Sequence, residues 1–248
     1  MNLADAILAV MLKAVPPGRG GFTLTRQAYS VELVPTDLCA PEAAECAGAR
    51  HSKFYGTWVR QESAETGRAR YQKMAGRLAL LLAESSSPAL EAGRVIGVSV
   101  NESGLREDVE FGRGRSGRVK PTQAQYDDAG GEGRGPGNEA CVMQILPSMA
   151  QKFGGPEALL GDSDGAIDRC FSAGLEQLRH GEQMCRSVAK RQVRLPDGSH
   201  VTKSLTYAMV SYFGTGSSCT SSNLGKSEAR VQTITWVTVE LRRLLSAP

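Results

Sequence analysis

A carboxyl group at the end of an apolar run is a candidate proton donor, and the chain carries one at Glu102, directly after Val95, Ile96, Val98 and Val100. Removal from water disfavours the charged form of a carboxyl, so such a group can stay protonated near neutral pH and serve as a general acid. Cleavage of a glycosidic bond needs that service, because the leaving oxygen takes up a proton as the bond breaks. Most enzymes of this chemistry add a second carboxylate as base or nucleophile. Asp108, Glu110, Asp127, Asp128, Glu132 and Glu139 are the neighbours that could supply it, and no motif singles one out. The plain alternative for Glu102 itself is a solvated side chain at a helix end.

Other chemistries find less in the sequence. Cys170, His180 and Cys185 follow one another, but their spacing matches no zinc pattern, so no metal is expected. Gly112-x-Gly114-x-x-Gly117 imitates a dinucleotide fingerprint without the strand before it or the helix after it, and no cofactor is expected. The net charge of +3 is mildly basic, which suits an anionic partner such as a bacterial cell wall and falls short of a nucleic-acid signature.

Three motifs stand in order: Glu102-Ser103-Gly104-Leu105, Val142-Met143-Gln144-Ile145, and Ser211-Tyr212-Phe213-Gly214-Thr215-Gly216. In this they resemble the lytic transglycosylases and goose-type lysozymes. There a glutamate followed by serine ends a buried helix, a Gly-x-Met-Gln-Ile-like strand turn follows, and a Tyr-Asn motif lies near the end. The resemblance runs from Arg94 to Leu224, about half of the chain. It departs at Phe213, where those families have Asn, and at Cys141, where they often have Gly.

The resemblance implies a mainly α, lysozyme-like helical domain that cleaves the β-1,4 bond between N-acetylmuramic acid and N-acetylglucosamine in peptidoglycan glycan strands. It makes Glu102 the catalytic residue. It also implies that Ser103 orients the substrate's acetamido group or the glutamate, while Gln144 and Tyr212 hydrogen-bond or stack on the sugar chain. Each has a structural reading beside it: a Ser capping a helix end, a Gln satisfying loop backbone, a Tyr packed under the last helix. In transglycosylases one glutamate acts first as acid and then as base, the acetamido group assists departure, and the 6-hydroxyl closes a 1,6-anhydro ring. Goose-type lysozymes deliver a water instead. A rival of another class is a catalytically silent wall-binding or virion structural protein, for which Phe213 is the best argument.

The elements that must position these residues follow from periodicity and punctuation. Met1 to Val15 reads as an amphipathic helix, with Asp5 ahead of its apolar run and Pro16-Pro17-Gly18 after it in place of a signal-peptide cleavage site. Gly56 to Glu84 reads as one long helix with Met74, Ala75, Leu78, Leu81 and Leu82 on one face. Ala89 to Val100 fits a buried helix or a strand equally well. The eight glycines and five basic residues of 112–137 predict a long loop without regular structure, either a mobile surface segment or a basic cover over a groove.

Pro147 to Phe153 predicts a short helix with proline in its first turn. Beyond a cap at Asp162, Ser163 or Asp164, a helix is expected in which Ile167, Cys170, Phe171, Gly174, Leu175 and Leu178 form a core-facing stripe, where the resembled families also carry a helix. Asp197-Gly198 predicts a turn or small hairpin, Leu205 to Tyr212 a helix, and Val231 to Leu245 a last apolar helix.

These elements suggest residues 1–88 as a helical extension packed on a catalytic domain of residues 89–248. The longest apolar run, Ala6 to Leu12, is too short to span a bilayer, so no integral membrane segment is expected. Six cysteines make an even set, which favours disulfides and a periplasmic, extracellular or phage-delivered protein. Cys39 with Cys46 is the favoured pair. Cys170 with Cys185 would stand about 22 Å apart on one continuous helix, too far to bond.

Overall fold

The computed structural model describes residues 1–17, 62–112, 138–187, 206, 209–210, 212–213, 218–219 and 224–247, together with five short strands. The strands and residues 224–229 are described by their backbone course. Among the described residues the fold is mainly α.

Helix α1, Leu3–Ala14, starts where Asn2 caps it, its Oδ1 accepting from the Asp5 amide at 2.9 Å. Asp5 in the first turn and Lys13 in the last complement the helix dipole. The helix ends at Val15, which precedes Pro16 and is extended, as a residue before proline prefers. Ala6, Ile7, Val10, Met11 and Ala14 form its buried stripe.

The long helix expected from Gly56 is shorter at its start. Thr57–Arg60 is strand β2, and helix α2, Ala64–Leu81, begins only after Ser63, whose Oγ accepts from the Thr66 amide at 3.0 Å. The β-prone run Thr57-Trp58-Val59 finds a partner strand that a periodicity count over the local sequence does not see. Arg70, Tyr71, Met74, Ala75 and Leu78 face the core. At the far end Leu82 is buried, but Leu81 is 37% exposed, because the chain leaves the helix there and the stripe stops with it.

Strand β2 pairs antiparallel with β1, Ala49–Ser52, and with β3, Arg115–Ser116, at Thr57↔Ser116 and Trp58↔Arg115. Two residues of the glycine-rich stretch thus enter a sheet, a strand as short as the composition leads one to expect. Their partner lies far away in sequence, and only that pairing defines them as strand. The rest of 113–137 lies outside the described residues.

Pro88–Ser103 forms α3, which settles the helix-or-strand ambiguity. Pro88 opens it, and Gly104, at φ 64° and ψ 26°, closes it in the left-handed conformation that glycine adopts without strain. Its buried positions run from Ala92 through Val100 with Arg94 as the one exception, then Ser103. Apolar and small residues over most of its circumference leave only a narrow polar face, too little to separate a helical period from that of a strand.

After the short helix α4, Glu107–Phe111, and α5, Pro147–Ala150, with two 3₁₀ turns behind it, the chain enters α6, Asp164–Cys185. Ser163 is its cap, and the expected stripe from Ile167 to Leu178 is buried throughout. Strands β4, Gln192–Arg194, and β5, His200–Thr202, pair antiparallel with Val193 opposite Val201. The intervening 195–199 lies outside the described residues. Thr206, Met209, Val210, Tyr212 and Phe213 are helical, and α7, Leu224–Ser246, ends the fold.

One core joins these helices. Ile7 and Met11 of α1, Tyr71 and Leu78 of α2, Val95 and Val98 of α3, Phe171 and Leu178 of α6, and Val237 and Leu241 of α7 belong to the same apolar cluster. The central helix α3 lies chiefly against α7, at a separation set by two glycines. A Cβ on Gly93 would stand 3.1 Å from the Thr238 Cα, and one on Gly97 would stand 2.8 Å from the Ile234 Cα. Advancing four residues along α3 therefore means retreating four along α7, which makes the two antiparallel.

Two disulfides close the described structure: Cys141–Cys170 and Cys185–Cys219. Cys170 and Cys185 both sit on the unbroken α6 and bond elsewhere, as their separation requires. Cys39 and Cys46 lie outside the described residues. No described helix is long and apolar enough to cross a membrane.

Candidate active site

Glu102 is the penultimate residue of α3, and the end of that helix is tied by serines. The Ser99 hydroxyl donates to the Val95 carbonyl at 2.8 Å, and the Ser103 hydroxyl donates to the Ser99 carbonyl at 2.9 Å while accepting from the Leu105 amide at 3.1 Å. Ser103 is buried, and these bonds give it a helix-closing role in the unliganded protein. Leu105, at φ 52°, continues the left-handed turn begun by Gly104, a strained conformation for a residue with a side chain.

Arg70 holds that turn from beneath. Its Nη2 donates to the Leu105 carbonyl at 2.8 Å, its Nε and Nη2 grip both oxygens of Glu62 at 2.7 and 3.0 Å, and its Nη1 donates to Glu110. Burial works against the charge of Arg70, but the two carboxylates outweigh it and raise its pKa. Burial pushes the Glu110 carboxyl up to about 7, against the opposing pull of Arg70 and with help from Glu62 and Asp162. Its Oε1 is buried without a hydrogen-bond partner. Glu110 therefore titrates in the useful range, yet it sits inside the protein and braces the turn after Glu102 rather than facing a ligand. Of the other candidate carboxylates, Asp108 is buried and paired with Arg106, Glu139 is half-buried just before the Ala140–Ile145 turn, and Asp127, Asp128 and Glu132 lie outside the described residues.

The setting of Glu102 differs from the apolar one its neighbours suggest. Val95, Val98 and Val100 are buried in the core, while the Glu102 Oε1 is in ion-pair contact with the Arg230 guanidinium of α7. Arg230 and Glu102 keep only 9% and 15% of their side-chain areas exposed. The pairing lacks hydrogen-bond alignment, and Oε1 is otherwise buried without a donor. No local motif marks Arg230 in the sequence. Its role follows from the antiparallel register of α3 and α7, which brings the start of one helix to the end of the other.

The second motif is a tight turn. Ala140 and Ile145 exchange two backbone hydrogen bonds of 2.9 Å, and the Gln144 amide donates to the Cys141 carbonyl at 2.9 Å. Cys141 and Gln144 stand at φ 56° and 53°, so the turn holds two side-chain-bearing residues in the left-handed region. Two contacts with α6 compensate: the Cys141–Cys170 disulfide, and the buried Met143 thioether, which occupies the space where a Cβ of Gly174 would be. Cys141, standing where the resembled families often have Gly, thus takes a left-handed residue and anchors it covalently. The Gln144 Nε2 donates back to the Cys141 carbonyl at 3.1 Å.

No family model, curated protein or solved structure matches the chain.

Tyr212 also packs on α6. Its ring meets His180 edge-on at 5.4 Å, over Gly181, where a Cβ would stand 3.1 Å from the Tyr212 Cδ1. Phe213 points into the core, and its carbonyl accepts from Gln177 at 3.1 Å. Helix α6 thus gathers the second and third motifs, and it meets α3 through Arg94–Glu182 at 3.0 Å and Glu91–Arg179 at 2.8 Å. Among the described residues, the side chain in direct charge contact with Glu102 is Arg230, not Gln144 or Tyr212. Cys170 and Cys185 are both in disulfides, so neither thiol is available to a metal beside His180, and no three His, Cys, Asp or Glu converge among the described residues.

Proposed function

We propose that this protein cleaves the β-1,4 bond between N-acetylmuramic acid and N-acetylglucosamine in peptidoglycan, as a lysozyme-like lytic transglycosylase with Glu102 as its acid. The observation that carries the reading is the position of Glu102: it ends a largely buried helix, before a left-handed glycine, and keeps 15% of its side chain exposed. In the proposed reaction the protonated Glu102 donates to the glycosidic oxygen as the C1–O bond breaks, and the substrate's acetamido oxygen closes onto C1. The 6-hydroxyl then displaces that oxygen, its proton returns to Glu102, and a 1,6-anhydro ring results. The proton balance closes on one residue.

A single-carboxylate scheme agrees with the surroundings. Asp108 is taken by Arg106, and Glu110 is enclosed beside Arg70, so neither is placed to activate a water on the opposite face of a sugar. Gln144, borne on a turn, and Tyr212, on a helical stretch, both packed against α6, are the proposed sugar contacts, and Ser103 sets the end of the helix that presents Glu102. The two disulfides suit a protein that works in an oxidising, extracytoplasmic compartment, where peptidoglycan is also found.

The test is digestion of purified peptidoglycan by the wild type and Glu102→Gln, with the products weighed by mass spectrometry. Anhydro-muropeptides from the wild type, abolished by the substitution, are expected. Products with reducing ends would make it a hydrolase. Products unaffected by the substitution would remove Glu102 from the chemistry, and none from either protein would leave a wall-binding module.

A further inference from the structure

We infer that Arg230 is a positioning residue for catalysis, holding the Glu102 carboxyl in the orientation from which it exchanges its proton with substrate. The inference rests on the transglycosylase reading given above and adds a residue to it from the last helix of the chain.

Three observations support it. The guanidinium lies against Oε1, which is buried and has no hydrogen bond, while the Glu102 side chain keeps 15% exposure. Arg70 offers the contrast within the same protein: it grips Glu62 through two aligned bonds, binds Leu105 and Glu110 besides, and has no freedom left. The Arg230 contact is unaligned, so no hydrogen bond to Oε1 has to break as the carboxyl passes between charged and neutral forms.

The position of Arg230 is also fixed by packing rather than by the ion pair. Gly93 against Thr238 and Gly97 against Ile234 seat α7 closely on α3: the Thr238 hydroxyl lies where a Cβ of Gly93 would be, and the Ile234 side chain and backbone where one of Gly97 would be. Both helices are buried in the core on either side of this seam. The cation is therefore presented to Glu102 before any substrate arrives, at no cost of reorganisation during reaction.

The chemistry gives that placement a use. A lone glutamate that donates a proton and later takes one back must be a carboxylate between the two events. A fixed cation at its buried oxygen stabilises that intermediate state, at the expense of the protonated state from which the first step starts, and leaves the other oxygen for the reacting bond. In enzymes with two catalytic carboxylates the second shares this burden.

The experiment compares kcat and KM on solubilised glycan strands for the wild type, Arg230→Lys and Arg230→Gln, with thermal unfolding of each. Arg230→Gln is expected to lower kcat roughly 10- to 100-fold with KM nearly unchanged, because misplacement of a reacting group costs rate rather than binding. Arg230→Lys, which returns the charge, is expected to recover most of the loss. Unchanged kcat in a folded Arg230→Gln overturns the inference, as does a rise in KM alone or a Lys variant no better than Gln. If Arg230→Gln does not fold, Arg230→Lys decides: kcat lowered several-fold with KM constant supports the role, and both constants unchanged, or KM alone raised, overturns it. A wild type that releases no anhydro products removes the transglycosylase reading itself, a result distinct from an active enzyme indifferent to Arg230.

Discussion

Gly97 of α3 lies so close to Ile234 of α7 that a Cβ on the glycine would stand 2.8 Å from the Ile234 Cα. Real side-chain carbons do not approach backbone at that distance, so the contact belongs to glycine. It sets how near the helix carrying Glu102 comes to the helix carrying Arg230.

Gly97→Ala is therefore expected to destabilise the protein by ~1–3 kcal/mol, the usual cost of overpacking. Gly76, within α2, has nothing within 4 Å of where its Cβ would be, so the same change there is expected to stabilise by ~0.5–1 kcal/mol through helix propensity. Urea unfolding of both variants checks the opposite signs. A Gly97→Ala protein as stable as the wild type would show that the helices separate freely.

Glu110 makes stability depend on pH in a direction opposite to that of an exposed, salt-bridged carboxylate. Its folded pKa is raised from 4.5 to about 7, so between these values the folded state holds a proton that the unfolded chain has released. Stability from this group is complete below about 4.5, falls as pH rises, and is lost once pH passes about 7. Glu110→Gln is expected to flatten that slope. Denaturation midpoints at pH 5 and pH 8 measure it, and equal slopes in variant and wild type would contradict it.

The disulfide between Cys141 and Cys170 closes a chain separation of 29 residues and carries the strained turn of Met143 and Gln144. Loop-closure entropy puts its contribution at about 3–4 kcal/mol. The double variant Cys141→Ala/Cys170→Ala is expected to unfold at a correspondingly lower temperature, and to lose activity even at temperatures where it remains folded, because Cys141 and Gln144 no longer have a reason to stay left-handed. Calorimetry and glycan digestion below the midpoint separate the two effects. Full activity in the folded variant would show that Met143 in its notch at Gly174 holds the turn by itself.

Sequence alone determined the elements whose information is local. The stripe of α6 from Ile167 to Leu178, its cap at Ser163, and the amphipathic α1 stopped by Pro16 were all legible, because each has one face in water and one in the core. So was Glu102 at the end of an apolar segment. Tertiary structure alone decided what has no local record. Helix α3 is buried over most of its surface, so its packing and not its period makes it a helix; Thr57–Arg60 is strand only because β1 and β3 pair with it. The surroundings of Glu102 belong to the same class. The nearby valines suggested an apolar setting, but the close approach of Gly93 and Gly97 to α7 brings Arg230 to its carboxyl, and a charge supplied from another helix leaves no trace in the spacing around the residue it serves.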